Sequence, residues 1–134
     1  MTNQELKEKL KKKQYTISKQ ADFENTGINW YAYKTSIDTQ DCTCNDKPPQ
    51  IIITPWRIDI SHTENETLYS SEISIKGEIL GKHWIDIKLY AVPWKDLLPN
   101  LDLFERILAD TWNCAAKAKQ EIFSVVQEID DEVA

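Results

Sequence analysis

The stretch LDLFERILADTWNCAAKAKQEIFSVVQEI, residues 101–129, decides the fold. Within it, Leu101, Phe104, Leu108, Thr111, Ala115, Ala118, Ile122, Val125 and Ile129 recur at alternating steps of three and four. Only a helix brings residues so spaced to one side, so the spacing predicts one long amphipathic helix. Up to Ala115 its apolar line is broad, since Ile107 and Trp112 widen it, as suits a helix lying on a sheet. Beyond Ala118 it narrows to Ile122, Val125, Val126 and Ile129, with Phe123 at the side. At ~1.5 Å per residue the helix would be about 43 Å long, against about 30 Å for a globule of this size. Its second half is therefore expected to overhang, to bend, to pack on an N-terminal helix, or to meet another chain. Asn100 is a suitable N-cap, and Asp102 suits the positive end of the helix dipole. Asp130, Asp131 and Glu132 sit where the dipole disfavours anions, so fraying after Ile129 is expected.

The residues before this helix are rich in strand signals. Residues 83–92 alternate cleanly, with Ile85, Ile87, Leu89 and Ala91 on one face and Trp84, Asp86, Lys88 and Tyr90 on the other. Gly81-Lys82 reads as a hairpin turn with Gly at the first central position, as a type II′ turn requires. The preceding strand, residues 67–80, sets Ile73, Ile75 and Ile79 on one face, and Gly77 suggests a bend or bulge. Residues 51–60 form another strand, in which Pro55 removes a ladder donor and predicts an edge or a bulge. Residues 28–37 (INWYAYKTSI) carry aromatic and β-branched residues and must place aromatics on both faces. Residues 15–18 alternate as a short strand. Pro93 starts a short helical turn reaching Leu98, which Pro99-Asn100 interrupts.

At the N-terminus, Thr2 and Glu5 have capping-box spacing, and Leu6 and Leu10 lie one turn apart on the helix that follows. A helix this short needs tertiary contact to persist. The economical layout is an α+β domain spanning residues 1–134. An antiparallel meander of about four to five strands carries a short N-terminal helix and a long C-terminal helix packed on one face.

The composition bounds the function. A chain of 134 residues is one domain by length, and 41% hydrophobic with 28% charged residues is a globular balance. A net charge of -6 argues against nucleic acid, whose phosphates reward Lys and Arg surfaces. The lysines 7, 9, 11, 12, 13 and 19 crowd the first twenty residues, a distribution most simply read as a solvated terminus. No apolar N-terminal run marks a signal peptide, and none approaches the ~20 residues needed to span a bilayer. Three Cys, an odd number, fit a reducing compartment, so a soluble cytoplasmic protein is expected and the Asn65-Glu66-Thr67 sequon is read as fortuitous.

No catalytic motif emerges. Cys42-Thr43-Cys44 spaces two thiolates so that they can share a metal, with Asp41, Asp46, His62 or Cys114 as completing ligands. The spacing departs from the C-x₂-C of zinc knuckles, and the plainer reading is a pair of loop cysteines with Cys114 buried as a small hydrophobe. His62 and His83 read as surface residues, since no carboxylate–His–nucleophile arrangement follows from their spacing. Gly27, Gly77 and Gly81 are isolated, so no phosphate-cradling loop is present. No cofactor is implied, and with no catalytic motif the reading leans away from an enzyme.

The aromatics are the informative residues. Trp84, Tyr90, Tyr31 and Tyr33 form a candidate contact patch if the helices cover the Ile85/Ile87/Leu89 face. Ile122, Phe123 and Val126 form a candidate seam on the long helix. The leading expectation is a small acidic interaction module of adaptor, inhibitor or immunity type, binding a protein partner or a second copy. The alternative is a small-molecule binder or enzyme. Three antiparallel strands followed by a long C-terminal helix are similar in topology to helix-grip ligand-binding domains, and that likeness implies a cavity between sheet and helix.

Overall fold

The computed structural model describes residues 2–21, 28–39, 47–59, 67–81 and 83–133, without the side chains of 57–59, 67–68, 123 and 126–133. Cys42, Cys44, His62, the sequon, and the side chains of Phe123 and Val126 lie outside the described residues.

Five strands follow one another in space as in sequence: β1 (Thr16–Lys19), β2 (Trp30–Thr35), β3 (Gln50–Asp59), β4 (Thr67–Ile79) and β5 (His83–Pro93), all antiparallel. Helices α1 (Asn3–Lys12), α2 (Trp94–Leu97) and α3 (Leu101–Val133) complete the predicted α+β meander. Register explains the two faces. Ile17, Ala32, Ile53, Ile73 and Leu89 pair in one cross-strand row, and Ile51, Ile75 and Ile87 in the next. These inner-face residues share one buried cluster with Leu6 and Leu10 of α1, Trp94 and Leu97 of α2, and Leu101, Leu108 and Trp112 of α3. All three helices therefore pack on the same face of the sheet. Each fully buried Leu or Ile contributes about 1.5–3 kcal/mol, which is what holds a helix as short as α1. Its N-cap is the predicted one: the Thr2 hydroxyl accepts from the Glu5 amide at 3.1 Å.

The strands correct several local expectations. β3 is the central strand, not an edge. Its ladder with β2 ends at Ile53 while that with β4 continues to Asp59, so Pro55 sits where β3 has lost one neighbour. Gly77 makes no bulge and pairs regularly with Ile85. A Cβ there would lie 2.8 Å from Cη2 of Trp112 and 3.0 Å from Cβ of Pro49, so this glycine is the niche that admits the indole. The irregularity lies instead between Ser71 and Ile73, opposite Tyr90 and Ala91. Ala91 takes φ 54, and beyond it the alternation shifts: Ala91 is exposed and Val92 packs on the core in its place. At the hairpin, Leu80 and Gly81 have φ 54 and 71. Ile79 pairs with His83, so three residues rather than two connect the strands, and positive φ begins at Leu80 rather than at Gly81.

α3 also departs from its simplest reading. The apolar line repeats every 3.5 residues, whereas a straight helix turns every 3.6 and drifts by roughly 20° per heptad against it. The buried face accordingly passes from Leu101 and Leu108 to Ala109, Trp112 and Ala116. Thr111 and Ala118 turn outward, Ile107 widens nothing, and Cys114, expected to be buried, is exposed. The helix continues past Ile129 to Val133. The Asn100 amide donates back to the Asp96 carbonyl, so this side chain ties α3 to α2.

A polar cluster fixes the start of α3. Glu105 accepts from the Tyr15 hydroxyl at 2.7 Å and pairs with Lys34 at 2.8 Å, while the Lys34 ammonium lies 4.9 Å from the Tyr15 ring centroid. Burial first, and then the Glu105 carboxylate, hold the Tyr15 pKa far above its ordinary value.

Two outcomes follow. Gly77→Ala should destabilise the fold by about 1–3 kcal/mol, because the buried Trp112 ring has no free space to enter; the urea midpoint reads this, and an unchanged midpoint would refute the niche. Tyr15→Phe should lose about 1.5–3 kcal/mol at neutral pH, the usual worth of a hydrogen bond to a charged group. Because the folded pKa is raised, the Tyr15 contribution is complete below the ordinary phenol value of 10.0 and declines as pH rises beyond it, where only the unfolded chain ionises. Chemical denaturation on both sides of that value should show a steeper alkaline loss in the native chain than in Tyr15→Phe.

Candidate interaction surface

The other face of the sheet is built by the alternate residues. Thr16, Tyr33, Ile52, Ser74 and Lys88 form one cross-strand row, and Thr35, Gln50, Lys76 and Asp86 the adjacent one. Tyr31, Thr54, Trp56, Glu72, Trp84 and Tyr90 share this face by the strand period of two. Among the described residues no helix lies on it, since α1, α2 and α3 all belong to the opposite side. The sequence-derived aromatics therefore share one face, Tyr31 and Tyr33 on β2 and Trp84 and Tyr90 on β5, with β3 and β4 between the two pairs. Trp84 and Tyr90 are 57% and 70% exposed, Tyr31 and Tyr33 are half-buried, and the rings of the latter two lie 6.0 Å apart and tilted.

Charged side chains are threaded between the rings. Lys88 reaches Glu72 at 3.6 Å and Asp86 at 3.5 Å, and Asp86 also meets Lys76 at 3.7 Å. The Lys88 ammonium lies 6.0 Å from the Tyr90 ring centroid. Glu72 and then Asp86 raise the Lys88 pKa, so this cation persists across the physiological range. The network holds polar groups over a surface that would otherwise be a bare aromatic patch. Toward the hairpin, Gln50, Lys76, Glu78 and Trp84 edge an open cleft of about 400 Å³.

At the centre of this face Ser74 is almost fully buried, and its hydroxyl has no hydrogen-bond partner. The alternating pattern signals a wetter face at this position but does not reveal that neighbouring side chains close over the serine.

The second candidate surface is the far half of α3. Glu105 sits beside Lys34 of β2, Trp112 stacks into the Gly77 niche on β4, and Lys119 donates to the Trp84 carbonyl of β5 at 3.2 Å. The helix thus crosses the sheet from β2 to β5 and leaves it over the β5 edge. Beyond that crossing Ile122 and Val125 are 58% and 57% exposed, so no part of the described chain covers them. The two surfaces approach each other at Trp84, where Lys119, midway along α3, reaches the edge of the sheet.

Among the described residues no group of three or more His, Cys, Asp or Glu comes together, and no helix is long and apolar enough to cross a membrane. His83 is half-buried rather than a surface residue. The sheet–α3 space in which a helix-grip cavity would lie is occupied at Gly77 by Trp112.

Ser74→Ala should be neutral or stabilising by up to about 1 kcal/mol, since it removes a buried hydroxyl that makes no bond. A clear drop in thermal midpoint would mean that the hydroxyl is partnered after all. Compared with known proteins, the chain matches no family model, and no curated protein or solved structure matches it significantly.

Proposed function

We propose that this chain is a protein-interaction module that binds through the outer face of its sheet, with the overhanging half of α3 as a second contact. The observation that carries this reading is the grouping of Tyr31, Tyr33, Trp84 and Tyr90 on a face with no helix over it among the described residues. Rigid aromatics interleaved with a few charges are what binding surfaces enrich, because they supply contact area at little entropic cost. The net charge of -6 favours a basic partner through electrostatic steering, as an adaptor, inhibitor or immunity-type protein would use.

The reading is tested by gentle purification from the native cell, followed by hydrogen exchange on whatever complex is recovered. Protection is expected over residues 30–35 and 84–90, and Tyr31→Ala with Tyr33→Ala should weaken the complex by about 2 kcal/mol, roughly thirtyfold in Kd. Exposure of Ile122 predicts a smaller loss for Ile122→Asp. A chain that carries no macromolecule and shows no protection on this face would end the proposal. A bound small molecule detected by native mass spectrometry would turn the reading toward ligand binding.

A further inference from the structure

We infer that β5 is a self-pairing edge, and that the partner it fits is a second copy of this chain added antiparallel along residues 84–90. β5 closes one side of the sheet, and among the described residues its only ladder partner is β4. The Trp84 carbonyl is turned away from β4, since it accepts from Lys119. In an antiparallel strand alternate residues direct their backbone groups the same way, so Asp86 and Lys88 present theirs at the same edge. The bulge begins only at Tyr90 and Ala91, which leaves the stretch before it regular.

The side chains along this edge are complementary to themselves. With a two-fold axis through Ile87, Asp86 stands opposite the second copy's Lys88, and Lys88 opposite its Asp86. Trp84 stands opposite the second copy's Tyr90, and Ile85 opposite its Leu89. Two opposite-charge pairs and two aromatic pairs fall on the outer face, and only apolar residues meet on the inner one. Trp84, Asp86 and Lys88 direct their backbone groups outward, and this register sets Asp86 against Lys88 on both sides of the axis, so amides meet carbonyls at its centre. The Trp84 carbonyl has a second lone pair for the added amide. An axis perpendicular to the sheet keeps the helices of both copies on one side, and the overhang of α3 extends toward the second copy. The outer faces then join into a single aromatic surface.

This inference rests on the interaction reading above but fails separately from it. Light scattering on the purified chain should give twice the mass of 15.6 kDa as concentration rises through the micromolar range. D86K and K88D each place like charges opposite one another twice, and each should weaken self-association roughly tenfold or more. Mixing D86K with K88D should restore a dimer, now of unlike chains, because the signs again oppose. Circular dichroism establishes that each variant is folded before mixing. A native chain that remains a monomer, single variants that dimerise as the native chain does, or a mixture that stays monomeric would overturn the pairing. Any of these would leave the effect of Tyr31→Ala and Tyr33→Ala on a different partner untouched.

Discussion

Trp112 meets the sheet where Gly77 has no side chain, and this contact sets the path of α3 across the strands. A Cβ at residue 77 would hold the indole away, and α3 would then have to ride higher or turn. With the niche open, Leu108 and Ala116, a turn either side of Trp112, also come down to full burial. The direction so fixed carries the helix from Lys34 on β2 to Trp84 on β5 and out past the edge. The exposed end of α3 is thus a consequence of the way its middle is seated.

Polar groups define the other end of that path. Tyr15, Lys34 and Glu105 come from the segment before β1, from β2 and from α3, and each partly satisfies the other two. Packing alone would let a helix slide along an isoleucine-rich surface, whereas a carboxylate bonded to a buried phenol and an ammonium accepts one position. Leu6 and Leu10 then cover the ground near Trp30 that α3 does not reach, and Asn3 takes the Trp30 indole N–H. Because every helix among the described residues is committed to this side, polar side chains on the outer face itself are what they leave to meet solvent.

The sequence made the coarse design legible because its signals are periodic. Residues 83–90 alternate and residues 101–118 follow a helical period, so the element types and the side carrying Trp84 and Tyr90 could be read directly. What the sequence hides lies in features without a period, or in a period slightly off that of the helix. Ala91 is an ordinary residue whose positive φ moves Val92 into the core, and nothing in the local pattern marks it. Gly77 suggests a bend or bulge in the sequence, whereas what it provides is space for a residue 35 positions away. The exposure of Cys114 and Thr111 follows from the small mismatch between a 3.5-residue repeat and a 3.6-residue turn, which matters only over several turns. Of the candidate surface, the aromatics were visible one by one. Their grouping depended on knowing that α1 shares the inner face, which two buried leucines alone do not say.

A long edge strand is ordinarily a hazard, and proteins blunt such edges with charges, prolines or bulges. β5 carries a bulge and Pro93 at one end and charges at its middle, so it can be read as protected. The arrangement of those charges argues against protection as their whole purpose. Two lysines would repel an approaching copy, and two acids would do the same. Asp86 and Lys88 instead flank Ile87 with opposite signs, which is the pattern an antiparallel copy neutralises. The bulge begins just where Tyr90 would complete its pairing with Trp84 of the second copy, so it limits the length of the pairing without obstructing its centre. A strand that rejects foreign edges by charge and accepts its own by symmetry gains specificity from the same two residues.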